Sequence, residues 1–409
     1  MQEGRRVAAV VAATGGVAFV VLAALLVPWD PVPGPALHPV AASSVFTPAE
    51  IQRAEDFASL NRILGWCSLA VSLLLAGVLG FTEIGARLVD RVRGPWWWRV
   101  VVAVVGLAVV GRLATLPFSV LVRRRVLEYG LSDQAWSAYA VDMLKGLGVN
   151  VVATTLVMLV LVGIARRWRR AWPAVAGGLL AGLVMLGSFV YPLLVEPLFN
   201  HFEPLPDGPL RTEILALADQ EGVQIDDVLV ADASRRTTTL NAYVSGFGSS
   251  RRVVVYDNLV NGSSGVDDRQ ALSVVAHELG HARHDDVLIG SLLGAAGVLF
   301  GVGLLGLVLG GGVAEPRRVP RVLALLAVAS LLASPIQNGI SRKIETRADV
   351  DALRTTGDPA AFIEVQKALA RKSLADPTPP AWSQFWFGSH PTGLTRIALA
   401  ERFEDGGGG

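Results

Sequence analysis

Long apolar runs recur along this chain of 409 residues. Each is close to or longer than the roughly 20 residues that a helix needs to cross about 30 Å of hydrocarbon. All but one contain no charged residue, and the exception is interrupted only by Arg112. The runs are Val7–Pro28, Ile63–Phe81, Val100–Val122, Gly146–Ala165, Ala171–Val195, Val287–Ala314 and Val322–Ser341. The pattern predicts seven transmembrane helices.

Composition supports a membrane location and narrows the classes of partner. Apolar residues make up 52% of the chain and charged residues 17%, which is unusual for soluble domains. The apolar content therefore predicts a lipid bilayer as partner, and the net charge of +1 without a basic stripe beyond the span-flanking arginines predicts no nucleic acid. The single cysteine, Cys67, excludes an intramolecular disulfide and a cysteine-rich metal site.

Polar sequence is concentrated in two segments, Glu196–Asp286 and the region from Arg342 onward. In the first, apolar residues at helical spacing predict a helix that ends at Gly222. A strand is predicted in IDDVLVAD, and a β-hairpin in LNAYVSGFGSSRRVVVY, where a Gly/Ser turn separates two β-rich runs. The predicted fold class is a mainly α-helical multi-pass membrane protein with an α+β domain.

The stretch DDRQALSVVAHELGHARHDD has apolar residues at helical intervals and acidic residues in its first turn, which predicts a helix. Its end is predicted to run straight into the sixth span. The seventh span likewise is predicted to continue without a break into NGISRKIETRADVDAL. Because two consecutive spans return the chain to the side it left, both polar elements are predicted to meet the same membrane face.

Two histidines on the first of these helices are spaced for metal binding. His277 and His281 are four residues apart, so their rings project from one face and can share a tetrahedral zinc ion. Glu278 lies beside the first, where a carboxylate can accept a proton from an activated water. The alternative is a helix whose histidines cap carbonyl groups or contact lipid headgroups. His284 is interpreted as interfacial and not as a ligand.

A catalytic zinc site needs a third protein ligand. Four polar residues form one stripe along the helix that follows the seventh span, and Glu345 is the acid best placed for the metal. The stripe consists of Asn338, Arg342, Glu345 and Asp349. A solvated polar face explains the same spacing equally well. Near the C-terminus, His390 precedes Pro391, which can start a helix, and Arg396 lies on that helix; alone, this is an ordinary helix beginning.

Five segments together resemble the type I CAAX prenyl protease family of integral-membrane zinc endopeptidases and its bacterial relatives. They occur in the family's order and cover roughly the C-terminal half of the chain, whereas the spans before Pro197 match in number and placement only. The segments are PLFNHFEPLPDGPL, LNAYVSGFGSSRRVVVYDNL, HELGH, NGISRKIETRADVDAL and SHPTGLTRI. The resemblance implies a zincin-like protease domain with one Zn²⁺ per chain.

The resemblance also implies the metal ligands and the general base. Zinc is expected to be held by His277, His281 and Glu345. Glu278 is expected to take a proton from the water that attacks a peptide carbonyl. The implied cofactor is therefore a catalytic zinc ion, and the implied partner is a peptide or protein substrate.

Further residues take roles from the resemblance alone. Asp349 is implied to be a proton donor or a partner of a zinc-binding histidine, and the sequence does not choose between them. His390 and Arg396 align with residues that stabilise the oxyanion or hold the substrate. Asn241 and Ala242 are implied to lie on an edge strand beside the zinc, where a peptide can add as an extra strand.

The chain is predicted to consist of four parts. Residues 1–195 form a membrane region with five spans, and residues 196–286 form the zincin-like domain. Residues 287–341 form a two-span hairpin, and residues 342–409 carry the third ligand and a C-terminal helical region. The predicted function is hydrolysis of peptide bonds, with membrane or misfolded proteins as possible substrates.

Two alternatives compete with this function. One is a seven-span transporter or receptor in which the polar domain binds zinc structurally, which four protein ligands would favour. The other is an inactive homologue that acts as a chaperone. The intact set of His277, Glu278, His281 and Glu345 argues against the second alternative.

Arginines near the span ends predict a membrane orientation that disagrees with the resemblance. The short loops on the side of the N-terminus carry more lysine and arginine than those on the opposite side, and they include the stretch RRWRR. The positive-inside rule therefore places the N-terminus in the cytoplasm and, after five spans, the zinc domain outside. The resemblance implies a zinc site that faces the cytoplasm.

Overall fold

The computed structural model describes residues 2–406 except 33, 247, 263 and 264. Helices dominate the described chain. In order they are α1 Gln2–Leu26, α2 Ala42–Val45, α3 Pro48–Phe81, α4 Glu83–Arg91, α5 Trp96–Glu128, α6 Trp136–Arg167, α7 Trp172–Leu194, α8 Glu196–Phe199, α9 Pro209–Gln220, α10 Asp257–Val260, α11 Asp268–Arg283, α12 Asp286–Leu309, α13 Val319–Thr356, α14 Pro359–Ser373, α15 Ala381–Phe387 and α16 Gly393–Glu404. The strands are β1 Phe202–Pro204, β2 Asp227–Ala231, β3 Ala242–Ser245 and β4 Arg252–Tyr256.

Seven helical segments of the described chain are long and apolar enough to cross a membrane, which confirms the prediction from the apolar runs. They are α1, α3, α5, α6, α7 together with α8, α12 and α13. Large apolar side chains on these helices, such as Leu25 and Leu74, are mostly exposed. Such a surface is stable in lipid and not in water.

Some spans extend beyond the apolar runs as regular helix. Helix α3 begins at Pro48, well before the run that starts at Ile63. Thr47 caps it, because its hydroxyl accepts a hydrogen bond from the N–H of Glu50, and the Glu50 carboxylate accepts one from the N–H of Thr47 at 2.8 Å. This capping box satisfies backbone groups at the helix start, so the polar turns remain helical outside the apolar run.

Helix α1 packs closely against α12 through glycines. A Cβ atom on Gly303 of α12 would lie 2.3 Å from the backbone nitrogen of Ala12, and one on Gly15 of α1 would lie 2.3 Å from that of Phe300. Only residues without a side chain permit this approach, which is how helices commonly associate in membranes. The N-terminal span therefore supports the span that begins at Asp286.

A small mixed sheet lies in the first polar segment, in the order β1-β2-β4-β3. Strands β3 and β4 are antiparallel, as the predicted hairpin requires, and β2 is parallel to β4. Strand β1, which pairs antiparallel with β2, was not predicted, because three residues that end in a proline carry too little pattern. The predicted turn between β3 and β4 includes Phe247, which lies outside the described residues.

Helix α11 and helix α9 pack on one face of this sheet. Their contact is a core of fully buried side chains that includes Ile214 of α9, Leu279 of α11 and Val253 of β4. Apolar burial on this scale contributes about 1.5–3 kcal/mol for each large side chain. The core therefore fixes the histidine-bearing helix relative to β3.

The path from the histidine helix into the sixth span differs from the prediction. Helix α11 ends at Arg283, Asp285 adopts a left-handed conformation with φ of 54°, and α12 begins at Asp286. A left-handed residue cannot continue a right-handed helix, so α11 and α12 are separate helices. The corresponding prediction for the seventh span is confirmed, since α13 runs from Val319 to Thr356 without a break.

Candidate metal centre

His277 and His281 of α11 and Glu345 of α13 lie together, with one ligand atom of each within 4.8 Å of the others. The two Nε2 atoms are 3.2 Å apart. A Glu345 oxygen lies 3.3 Å from Nε2 of His277, and the other lies 3.7 Å from that of His281. The two helices pack closely at Gly280, where a Cβ atom would lie 3.4 Å from Cα of Ala348, in van der Waals contact.

The opposite nitrogen of each histidine ring faces a buried carboxylate. Nδ1 of His277 lies 2.9 Å from Asp349, and Nδ1 of His281 lies 2.9 Å from Asp286. A carboxylate at Nδ1 keeps the proton on that atom and leaves the lone pair of Nε2 directed at the shared point. Glu345 Oε2 is buried there, and Nε2 of His277 and Nε2 of His390 each lie 3.3 Å from it. This donor set fits a divalent metal ion bound by three protein ligands.

Each of these carboxylates is in turn paired with an arginine. Asp349 accepts hydrogen bonds from Arg396, including one from Nε at 2.9 Å, and Asp286 pairs with Arg347. Asp286 and Arg347 were not predicted from the sequence to belong to the metal centre. Asp286 follows His281 by five residues, which could have indicated a contact. The prediction of one continuous helix instead placed Asp286 on the sixth span, away from the His281 ring.

Glu278 follows His277 on α11, and His390 lies beside Glu345. Burial raises the pKa of Glu278, and the charges of His277 and His281 oppose that shift. His390 Nε2 is 3.3 Å from a Glu345 oxygen, and burial lowers the pKa of His390 although the Glu345 charge opposes it. The structure therefore brings both residues to the predicted ligands.

Two further groups lie behind His277. Burial lowers the pKa of Arg396, but the adjacent Asp349 carboxylate outweighs it and raises the pKa overall. Burial also lowers the pKa of His277, yet its hydrogen bonds with the Asp349 and Glu345 carboxylates raise that pKa to about 10. A metal ion would therefore bind in competition with a proton on this ring. His284 faces away, with Nε2 2.9 Å from Asp351.

A cavity of about 1370 Å³ adjoins the group and extends between the spans. Glu278, His281 and Glu345 line it together with largely apolar residues of α1, α6, α7, α12 and α13. Examples are Phe19, Leu180, Leu293 and Ile340. An apolar chain or apolar side chains can therefore reach the candidate metal centre from within the membrane region.

Strand β3, which begins at Ala242, is the edge of the sheet and packs against α11. The N–H of Tyr256 donates to the carbonyl of Asn241 at 2.9 Å. Because hydrogen-bonded and free pairs alternate in an antiparallel ladder, the backbone groups of Ala242 and Val244 point toward the free edge. Val244 also lines the cavity. The predicted edge strand is thus beside the histidine helix.

Known proteins match the chain over most of its length. The family described as CAAX prenyl protease N-terminal, five membrane helices, matches residues 36–201. Peptidase family M48 matches residues 204–404. An uncharacterized metalloprotease of Bacillus subtilis, YhfN, is 27% identical over 89% of this chain and 88% of its own.

Eukaryotic relatives match a smaller share of this chain than YhfN does. A CAAX prenyl protease 1 homolog of Oryza sativa subsp. japonica is 32% identical over 43% of this chain, which is 41% of the rice protein. The crystal structure of S. mikatae Ste24p superposes with a TM-score of 0.79 over 97% of this chain and 99% of that one, at 19% identity, which shows a shared fold. Since the two family models match nearly the whole chain in turn, it belongs to peptidase family M48 and is an integral-membrane metalloendopeptidase.

Proposed function

We propose that the chain cleaves extended peptide segments of membrane or unfolded proteins with one zinc ion held by His277, His281 and Glu345. The observation that carries this proposal is the donor set itself, with two Nε2 atoms 3.2 Å apart beside the buried carboxylate of Glu345. When bound, zinc supplies a Lewis acid that acidifies water and polarises the peptide carbonyl.

Glu278 is the general base in this mechanism. Its carboxylate lines the cavity beside the ligands and can accept a proton from the attacking water. Burial raises the pKa of Glu278, which brings it toward the range in which one group can both accept a proton and return it to the leaving amine. Glu278 therefore carries out both proton transfers, from the attacking water and to the leaving amine.

Asp349 and Arg396 act on His277 and not directly on substrate. Asp349 has only 1% of its side chain exposed and lies at the ring nitrogen opposite the ligand group. Arg396 pairs with it from the same side. These contacts favour the role of histidine partner over that of proton donor for Asp349, and a supporting role over oxyanion binding for Arg396. His390 has 59% of its side chain exposed and Nε2 3.3 Å from a Glu345 oxygen, which supports a role in contacting the substrate carbonyl.

The substrate binds as a strand added to β3. The free backbone groups of Ala242 and Val244 can pair with an extended peptide and align it along α11. The apolar cavity next to Val244 can take apolar side chains or a lipid group. Relatives named CAAX prenyl protease 1 make prenylated peptides candidate substrates, and comparison of prenylated and unmodified peptides tests this point.

The transporter alternative receives no support from the family matches or from the site. A structural zinc site is normally closed by four protein ligands. Among the described residues the candidate group contains three, His277, His281 and Glu345. Three ligands leave a coordination position for water or a substrate carbonyl, as hydrolysis requires.

The substitution Glu278→Gln tests this function. It keeps size and polarity but removes the base, so we expect zinc content to stay at one per chain while the cleavage rate falls roughly 10²–10⁴-fold. Zinc is measured by elemental analysis, and cleavage is measured on an unfolded peptide with detergent-purified protein. Glu213→Gln, on the exposed side of α9, is the matched control. Normal cleavage by the Glu278→Gln variant would refute the assignment.

A further inference from the structure

A second pocket lies on the side of β3 that faces away from the histidine helix. It has a volume of about 370 Å³ and contains both aromatic and charged groups. Its lining includes Tyr191, Glu196, Phe199, Arg236, Tyr243 and Tyr256. None of these residues has a role in the proposed hydrolysis, so the pocket needs a separate explanation.

Strand alternation places this pocket beside the proposed peptide site. Side chains of a strand point alternately to its two faces. Ala242 and Val244 belong to the core that contains α11, so Tyr243 and Ser245 point to the other face. The carboxylate of Glu196 accepts hydrogen bonds from the hydroxyls of Ser245, at 3.1 Å, and Tyr243. Glu196 therefore lies alongside β3, level with both residues.

The charge of Glu196 is not neutralised by an ion pair with any described residue. Its hydrogen-bond partners are hydroxyl groups, which carry no charge. Arg236, in the same pocket, is already bound to Asn200 and lies 3.9 Å from Asp142. Arg252 acts on Glu196 through its field without forming a salt bridge with it. A half-buried carboxylate in this setting favours the arrival of a further cation.

The aromatic lining is complementary to the same kind of group. Tyr243 and Tyr256 pack edge to face, with ring centroids 6.4 Å apart, and Tyr191 of α7 also lines the pocket. Tyrosine faces attract ammonium and guanidinium groups and also pack against the methylene stem of a long basic side chain. A carboxylate with several tyrosines is thus a site for a flexible organic cation.

We infer that this pocket is a specificity subsite that binds a lysine or arginine side chain of the substrate. The inference rests on the proposed function, because a peptide added to β3 sends every second side chain toward Tyr243 and Glu196. Residues on either side of the basic one face the histidine helix and the apolar cavity. The preferred substrate therefore carries a basic residue flanked by apolar residues, at a fixed distance from the cleaved bond.

The test uses quenched fluorescent peptides that contain one lysine, moved stepwise along an otherwise neutral sequence. Norleucine, which has the same stem without the charge, is the reference at each position. We expect lysine to raise kcat/KM about tenfold at one position and not at its immediate neighbours, as for a charge-assisted hydrogen bond. The gain is expected in KM, because the subsite contacts the substrate away from the reacting bond.

Charge reversal at the pocket provides the second arm. In Glu196→Gln the lysine-to-norleucine ratio is expected to fall to about one, and in Glu196→Lys a glutamate peptide is expected to become the better substrate. Glu203→Gln, on exposed β1 of the same sheet, is the matched control and is expected to keep the wild-type ratio.

The outcomes separate this inference from the proposed function. Failure of the wild-type enzyme to cut any peptide would overturn the proposed function itself. Cleavage of neutral peptides with no lysine preference at any position would overturn only the subsite. A lysine preference that persists unchanged in Glu196→Gln would also overturn it, whereas a preference lost in that variant and kept in the Glu203→Gln control supports it.

Discussion

The two histidines of the metal centre are supported by the same chemistry but from different parts of the molecule. Each ring donates from Nδ1 to a carboxylate that is paired with an arginine. For His277 the pair consists of Asp349 on α13 and Arg396 on α16, and for His281 it consists of Asp286 on α12 and Arg347 on α13. Both pairs therefore include a residue of α13, and they differ in the second helix, which is the C-terminal α16 for His277 and the sixth span, α12, for His281.

Burial differs between the two halves and predicts different consequences of mutation. The carboxylate of Asp349 is 1% exposed and that of Asp286 is 8% exposed, whereas their arginines, Arg396 and Arg347, are 14% and 17% exposed and differ little. Removing a carboxylate leaves its arginine unpaired, which costs more where water cannot enter the space that the carboxylate filled. The His277 half is thus expected to matter for folding as well as for metal binding, and the His281 half mainly for metal binding.

The largest effect is expected from Asp349→Ala. It leaves Arg396 buried beside His277 without its partner, so we expect unfolding free energy to fall by about 3–5 kcal/mol. Metal affinity should fall at the same time because His277 loses its orientation. Denaturant unfolding in detergent measures the first effect and competition with a chelator the second. Wild-type stability in this variant would show that the two halves do not differ as described.

A smaller and more selective effect is expected from Asp286→Asn. The amide keeps the shape but no longer accepts the His281 proton as a charged partner, so zinc affinity should fall roughly 10–100-fold with less loss of stability. Asp285→Asn is the control, because Asp285 is adjacent in sequence and pairs with Arg251 instead. Equal losses of affinity in both variants would contradict a specific role for Asp286.

Membrane orientation can be tested without loss of activity. The structure supports seven spans, so the arginine distribution predicts a cytoplasmic N-terminus and a metal centre on the outer side. In a Cys67→Ala background, we expect an impermeant thiol reagent to label Asp207→Cys but not Arg170→Cys in intact cells. The opposite labelling pattern would place the metal centre in the cytoplasm, as the family resemblance implies.

Much of the architecture could be predicted because local sequence patterns determine it. Uncharged apolar runs that are long enough to cross the hydrocarbon indicate spans, whatever sequence surrounds them. Two β-rich runs around a Gly/Ser turn indicate the hairpin of β3 and β4. The spacing of His277 and His281 is equally local. The position of Glu345 near these histidines could also be predicted, because the two intervening spans return the chain to the same membrane face.

The remaining features depend on contacts that no local pattern encodes. A left-handed aspartate such as Asp285 is uncommon, so the break between α11 and α12 could not be predicted from helical spacing. The ion pair between Asp286 and Arg347 joins α12 and α13, and the chain crosses the membrane twice between these two residues. Glu196 likewise comes from the end of a span, and only the folded chain shows it beside Tyr243 and Ser245.

The unbroken helix α13 has a consequence for the lipid environment. It carries Glu345 on the same continuous helix that crosses the bilayer, whereas the two histidines lie on α11, which is separated from its span by the turn at Asp285. Spans tilt to match the thickness of the surrounding hydrocarbon. A thinner or thicker bilayer therefore displaces the carboxylate relative to the imidazoles, which makes membrane thickness a physical variable of the catalytic geometry.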